Sequence, residues 1–446
     1  MLDGCCNVMY LCSRNKNRNK MKKFTLFTMM VALMALMTAC SQDEDMIPAM
    51  NREGQTRGAE GDKTVLIYMA GRNKLTTAVD EDLEEIKAGS RQIGERQNLL
   101  VFVRRFNDAE RPWLARICNG EVCDSVSLSD MGINSQDGQR RASDPTVMEG
   151  VMRYAFSHYP ATDGYGLVLW GHGSGWLMKK EVQQAATRAY GMDIGNYKGS
   201  TDDRWINIPT MARILEKMPH LRYIMADCCN FMCLETLYEL RNTCDYIIGS
   251  PAEIPGQGAP YDDIVPHLFA DGCFYTDIVD QYEASVMGNL PLTVVKTEAM
   301  DDMAEATRLA LQTLPTMTEE VKGGAYPDLT GLIHYYYTDD CYTFQPKYNI
   351  FYDAGDFLRS HASEEAYQQW CQALDELIVE RRMATWWSTD KIWRMMYTDF
   401  VVTPEKFHGV SMFVPQNPKL GNYAKYNEDI RQMEWYEATG MAEIGW

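Results

Sequence analysis

Positive charge is in short supply in this chain: 43 Lys and Arg stand against 62 Asp and Glu, a formal net charge of −19. A surface of that sign repels nucleic acid and anionic lipid, which sets both aside as electrostatic partners. Also missing is a serine with glycine two places before and two places after it. Ser174 has His172 at the first offset, and Ser411 has Gly409 before it but Phe413 after it. The nucleophile elbow of an esterase is therefore absent. The apolar run from Phe24 to Ala39 is shorter than the roughly 20 residues of a membrane-crossing helix. No internal repeat or low-complexity block stands out, so repeat architectures are not indicated.

What is present describes an ordinary globular protein: 446 residues, 46 % hydrophobic and 24 % charged, enough for one large α/β domain or two packed subdomains. The amino end is read before the fold. Met21-Lys22-Lys23 precedes the apolar run, which stops at Leu36-Met37-Thr38-Ala39-Cys40. This reads as a lipoprotein signal over residues 1–39 with lipidation at Cys40. Residues 1–20 sit awkwardly ahead of a signal that begins so well at Met21, which points to a start site placed too early. Removing residues 1–39 takes away six Lys/Arg and one acid, leaving 37 against 61, or −24. Ser41-Gln42-Asp43-Glu44-Asp45 resembles the acidic export signal that sends some bacterial lipoproteins to the outer face of the outer membrane. Residues 40–62 are then a lipidated polar tether.

Beyond Cys40 there remain Cys118, Cys123, Cys228, Cys229, Cys233, Cys244, Cys273, Cys341 and Cys371, an odd number, so at least one thiol stays unpaired within the chain. Cys118 and Cys123 flank Asn119-Gly120, a hairpin signal; a cross-strand bridge and a pair of packed thiols both fit.

Short apolar runs alternate with helical patterns over the first half, which predicts a parallel sheet flanked by helices. Strands are expected at Thr64–Met69, Leu99–Val103, Tyr165–Trp170, Arg222–Ala226 and Tyr246–Gly249, with a hairpin at Trp113–Val126. Helices are expected around Asp80–Ile86, from Asp144-Pro145 toward His158, over Pro209–Met218 and over Glu235–Leu240. From residue 291 onward the pattern changes: a strand at Thr293–Lys296, a helix near Met303–Leu314, a Tyr-rich stretch at Tyr335–Tyr342, a long helix Glu364–Arg382 and a late strand Val410–Val414. The expected division is a catalytic domain over 63–290 and a carboxy-terminal α/β subdomain over 291–446 packed on it.

Two strand ends carry chemistry, because open parallel sheets place ligand sites beyond the carboxyl ends of their strands. One ends in Gly171-His172-Gly173-Ser174-Gly175-Trp176, the other in Asp227-Cys228-Cys229-Asn230-Phe231-Met232-Cys233-Leu234-Glu235. Adjacent strands bring an imidazole and a thiol to one edge, a nucleophile with its base. Cys229 is expected at the start of the following helix, whose dipole favours the thiolate. The amides of Gly173 and Cys229 are the natural donors to a developing oxyanion. Taken singly, a buried cysteine or histidine is more often core than catalytic; the conjunction carries the reading.

A strand ending in His-Gly-x-Gly-Trp and another ending in Asp-x-Cys, with Met and Glu downstream, resembles the clostripain family of cysteine peptidases, which share the caspase-like fold. Tyr68-Met69-Ala70, Tyr159-Pro160-Ala161, Ser250 to Pro255-Gly256-Gln257-Gly258 and His408 to Pro415 are similar too, so the resemblance spans about Lys63 to Pro415. It implies a three-layer sandwich with a mostly parallel central sheet. It also implies that Cys229 forms a thioester while His172 polarises the scissile carbonyl and protonates the leaving amine. Asp227 would line the pocket for the residue before the cut, usually Arg or Lys. Relatives often carry a second acid where Gln257 stands, and a neutral amide there lessens preference for a basic side chain. The family also implies self-cleavage after Trp176, where Lys179, Lys180 and Arg188 lie, and in some members calcium, for which Asp202-Asp203 and Asp262-Asp263 are the acidic pairs; no metal site is assigned.

Two rivals remain. His172-Gly173-Ser174-Gly175 also looks like an esterase oxyanion segment, but the elbow is missing. A surface lipoprotein that binds peptide or glycan through its ten Trp and twenty-five Tyr, without catalysis, is the other.

Overall fold

All nine residues of β1, Lys63–Gly71, are buried, as expected of a strand covered on both faces. The computed structural model describes residues 60–106, 113–135, 139–178, 190–194, 203–316, 326–336, 349–387, 400–420 and 422–446. Cys40 with its signal, most of the tether, Lys179, Lys180, Arg188, Asp202 and Cys341 lie outside the described residues.

The further strands are β2 (Gln97–Arg105), β3 (Trp113–Cys118), β4 (Glu121–Ser127), β5 (Tyr165–Gly171), β6 (Tyr190–Asp193), β7 (Arg204–Ile206), β8 (Leu221–Asp227), β9 (Cys244–Gly249), β10 (Leu292–Lys296), β11 (Tyr352–Asp353), β12 (Ile378–Arg382) and β13 (Ser411–Met412). Nine of them form one sheet in the order β12-β10-β9-β8-β5-β1-β2-β3-β4. The central five, β9 to β2, run parallel, and antiparallel pairs close both sides.

Helices α1 (Thr76–Ser90), α2 (Pro145–His158), α3 (Ile208–Leu215), α4 (Leu234–Leu240), α5 (Tyr261–Leu268), α6 (Phe274–Ser285), α7 (Met300–Leu311), α8 (Ala354–His361) and α9 (Glu364–Leu377) surround it. Successive side chains of a strand point to opposite faces, and the core splits accordingly. Val65, Ile67 and Met69 pack with Val79, Ile264 and Ile278 of α1, α5 and α6. Leu66 and Tyr68 belong to the opposite core, with Val151, Met211, Leu237, Met303 and Trp370 of α2, α3, α4, α7 and α9. This is the expected three-layer sandwich.

Local signals act as read. The Asp144 side chain accepts the Thr146 N–H at 2.9 Å and Pro145 opens α2, a cap worth about 1 kcal/mol. Asn119 and Gly120 take positive φ, 48° and 90°, in the turn between β3 and β4, and Cys118 and Cys123 are joined across it by a disulfide.

Three expectations are corrected. The long helix expected over Glu364–Arg382 stops at Leu377. Ile378–Arg382 is an edge strand paired antiparallel with β10. Its β-branched Ile378 and Val379 suit a pleated edge, and Arg382 reaches Asp280 at 2.6 Å and Glu283 at 3.1 Å, charges that suit an unpaired edge. Second, of Val410–Val414 only Ser411–Met412 pairs, with β11, outside the main sheet. Third, α4 begins at Leu234 with Cys233 as its cap residue, so Cys229 precedes the helix by five positions. A helix dipole falls off within its first turn, so it does not act on that sulfur. The segment after residue 290 supplies β10 and β12 to the main sheet, and the described residues belong to one compact unit, Ile47–Trp446.

Candidate active site

Strand register brings the two motifs together. On β5 and β8, Trp170 faces Asp227 across a parallel ladder, and His172 and Cys229 each follow that pair by two residues. The two chain ends touch just beyond it. A Cβ on Gly173 would lie 2.6 Å from the Cys229 carbonyl oxygen and 3.1 Å from its amide nitrogen; one on Gly175 would lie 2.7 Å from the Asn230 carbonyl. The His-Gly-x-Gly spelling is thus a packing requirement, because no side chain fits between the loops.

The thiol loop is pinned on two sides. Asn230, at φ 55°, sends its N–H to the Ala252 carbonyl (2.9 Å) and its amide nitrogen to the Pro251 carbonyl (3.0 Å). On the other side the Ser411 N–H meets the Met232 carbonyl at 3.0 Å and the Phe413 N–H meets Glu235 Oε1 at 2.6 Å. The late His408–Pro415 motif therefore braces this loop. Burial pushes the Glu235 carboxyl up to about 7 despite the Phe413 donor. Cys229 is half-buried, with the Ile254 N–H donating to its sulfur at 3.3 Å. The adjacent Cys228 is buried in the core, where loss of solvent, reinforced by Cys229 and Asp227, holds its thiol far above the usual range.

The imidazole loop is supported by β6 and β7, which the sequence reading did not find. The Gly191 N–H donates to the His172 carbonyl at 2.9 Å. The Tyr190 hydroxyl lies 2.8 Å from the Tyr68 carbonyl and 3.0 Å from that of Trp170, and the Trp205 ring is 6.4 Å from the His172 ring, centre to centre.

Asp227 lies buried below the thiol. Tyr282 and Tyr261 donate hydroxyls to it at 2.7 and 2.9 Å, and the Ala259 N–H donates at 3.1 Å. Burial raises its carboxyl, and these three donors oppose the shift. Gln257 is exposed, its Nε2 3.5 Å from the Ser285 carbonyl. A carboxylate absent from the motifs, Asp82 of α1, lies close to Asp227 instead: both flank Gly258. Asp262 and Asp263 lie in the first turn of α5. Among the described residues no three His, Cys, Asp or Glu side chains are grouped to hold a metal ion, and no described helix is long and apolar enough to cross a membrane. A cavity of about 240 Å³ near Pro415, Asn427 and Trp446 includes none of the motif strand ends.

A doubly flanked parallel sheet carrying a half-buried thiol at its carboxyl edge defines a caspase-like cysteine peptidase. The model of the clostripain family matches residues 67–446, and the chain belongs to that family. It is similar to a secreted C11 cysteine protease of Bacteroides thetaiotaomicron in complex with an irreversible peptide inhibitor, at 26 % identity and TM-score 0.65, over 86 % of this chain and 100 % of that one. It is also similar to an inactive zymogen C11 protease of Parabacteroides distasonis, at 25 % identity and TM-score 0.66, over 86 % and 99 %. No curated protein matches the chain.

Proposed function

We propose that the protein is an endopeptidase in which Cys229 attacks the scissile carbonyl and His172 protonates the leaving amine. The Cys229 thiol gives its proton to the His172 imidazole, and the sulfur–carbon bond forms as the carbonyl electrons move to oxygen. Collapse of that oxyanion expels the amine with a proton from the imidazole, and water then hydrolyses the thioester, returning the thiol. The amides of Gly173 and Cys229 are the donors assigned to the oxyanion. The observation that carries this reading is the close approach of Gly173 to the main chain of Cys229, which sets the imidazole-bearing and thiol-bearing loops side by side. The peptide inhibitor bound to the Bacteroides thetaiotaomicron relative supports a peptide as substrate.

A peptidyl probe bearing a thiol-reactive group tests it. The wild type takes up the probe and cleaves a fluorogenic peptide, and Cys229→Ala does neither. Equal labelling of both chains, or of neither, favours a non-catalytic peptide or glycan binder.

A basic residue before the cut is the preference we assign to the pocket around Asp227. The amino-terminal sequence supports a second proposal, a lipid anchor on Cys40 that holds the enzyme on the cell envelope, at the outer membrane. Incorporation of labelled palmitate into the wild type but not into Cys40→Ala is the expected result; equal incorporation removes the anchor.

A further inference from the structure

Asp82 is only 4 % exposed. Its Oδ2 accepts the Trp170 indole N–H at 2.6 Å. Trp170 of β5 is the register partner of Asp227 on β8, so its indole ties Asp82, which stands on α1, to the strand residue beside Asp227. Between them is Gly258, at φ +59°, where a Cβ would stand 3.0 Å from Asp227 Oδ2 and 3.5 Å from Asp82 Oδ2. Glycine here permits the left-handed turn closed by its N–H on the Pro255 carbonyl at 2.9 Å. Any side chain here would press against both carboxyl groups.

Two buried carboxylates without a cation are costly unless a proton is held between them. Burial, and next the charge of Asp227, push the Asp82 carboxyl up to about 8 against the Trp170 donor; Glu85 and Glu81 on its own helix add to the rise. From α5 and α6 the groups that face the pair are the Tyr261 and Tyr282 phenols, and the Cys229 thiol acts on Tyr282 as well. None of these is basic.

We infer that Asp82 is a specificity-determining residue which, with Asp227, receives the guanidinium or ammonium group of the substrate residue before the cut, the arriving cation displacing a proton held between the two carboxyl groups. One positive charge enters and one proton leaves to solvent, so the pocket keeps its net charge. The inference rests on the peptidase reading above. It also removes the need for an acid at Gln257, because α1 supplies the second carboxylate from another part of the chain.

The test separates binding from turnover. In the full-length Cys229→Ala chain, benzamidine is titrated calorimetrically at pH 7 in two buffers of different ionisation heat. Binding is expected with release of about one proton. Adding Asp82→Asn, which keeps an acceptor for Trp170, should weaken binding roughly tenfold and abolish the proton release. In the active enzyme, Asp82→Asn should raise KM roughly tenfold for an Arg peptide with little change in kcat, and leave a norleucine peptide unaffected. Absence of benzamidine binding, or an Arg preference untouched by Asp82→Asn, overturns the inference. So does an equal loss toward both peptides, which marks a purely structural acid. A wild type that cleaves no peptide but binds benzamidine in an Asp82-dependent way defeats the peptidase reading alone.

Discussion

Gly173 shows how one missing side chain shapes the site. An alanine there puts its methyl 2.6 Å from the Cys229 carbonyl and 3.1 Å from the Cys229 amide, and backbone atoms cannot swing aside. One of the two loops must move, and displacements near 1 Å at reacting groups cost roughly a hundredfold in rate. Gly173→Ala is therefore expected to lose about that much kcat while remaining folded, checked by peptide turnover beside a thermal melt. Full activity would mean the loops have slack. His172 and Cys229 were legible because each stands in a spelling dominated by glycine, cysteine and acid at the end of an apolar run. Asp82 was not. It lies among Glu81, Glu84 and Glu85, a stretch that reads as a solvated helix face. The one available signal is its phase: Val79, Asp82, Leu83 and Ile86 share the buried stripe of α1, an acid where the 3.6-residue period calls for an apolar side chain.

Strands and helices were read best where the local pattern and the tertiary environment agree. β1, β2, β5, β8 and β9 are apolar runs covered on both faces, and their existence follows from composition alone. Glu364–Arg382 shows the opposite case. Its apolar spacing is helical as far as Leu377, and the residues beyond, Ile378-Val379-Glu380-Arg381-Arg382, carry no glycine or proline to mark a break. What ends the helix is the open edge of β10, whose unpaired backbone groups are satisfied by a strand. β6 and β7, of four and three residues, are too short for any period to register, yet they hold the His172 loop.

Buried acids set the protein's response to pH. Burial moves Asp82 to about 8, and Glu235 and Glu239 to about 7, against ordinary values of 3.8 and 4.5. Between roughly pH 4.5 and 8 the folded chain keeps protons that the unfolded chain has released, so stability falls as pH rises through that window. His408 adds in the same direction. Burial alone lowers it, but its ion pair with Asp353 overrides this and raises it to about 10, so its contribution is complete below about 6.5 and is lost toward 10. Asp353 itself is held below its usual value despite burial, chiefly by His408, and limits stability only in acid. Moving one buried carboxyl from 4.5 to about 7 corresponds to on the order of 3 kcal/mol. Thermal melts of Cys229→Ala, chosen to prevent self-digestion, should show a lower Tm at pH 8.5 than at pH 5.5, and the gap should shrink in Glu235→Gln. A Tm that rises with pH would contradict these assignments.

The sequence by itself determined the layer architecture, the family and the two strand ends on which a thiol and an imidazole stand, because apolar period and glycine spelling act over a few residues at a time. Tertiary structure alone decided that β12 completes the sheet, that β13 braces the thiol loop and that Asp82 joins Asp227 beside Gly258. Those contacts link positions that lie far apart in the chain, Val295 with Ile378 and Phe413 with Glu235 among them, and only the stacking of strands and helices into one core brings such positions within hydrogen-bond reach.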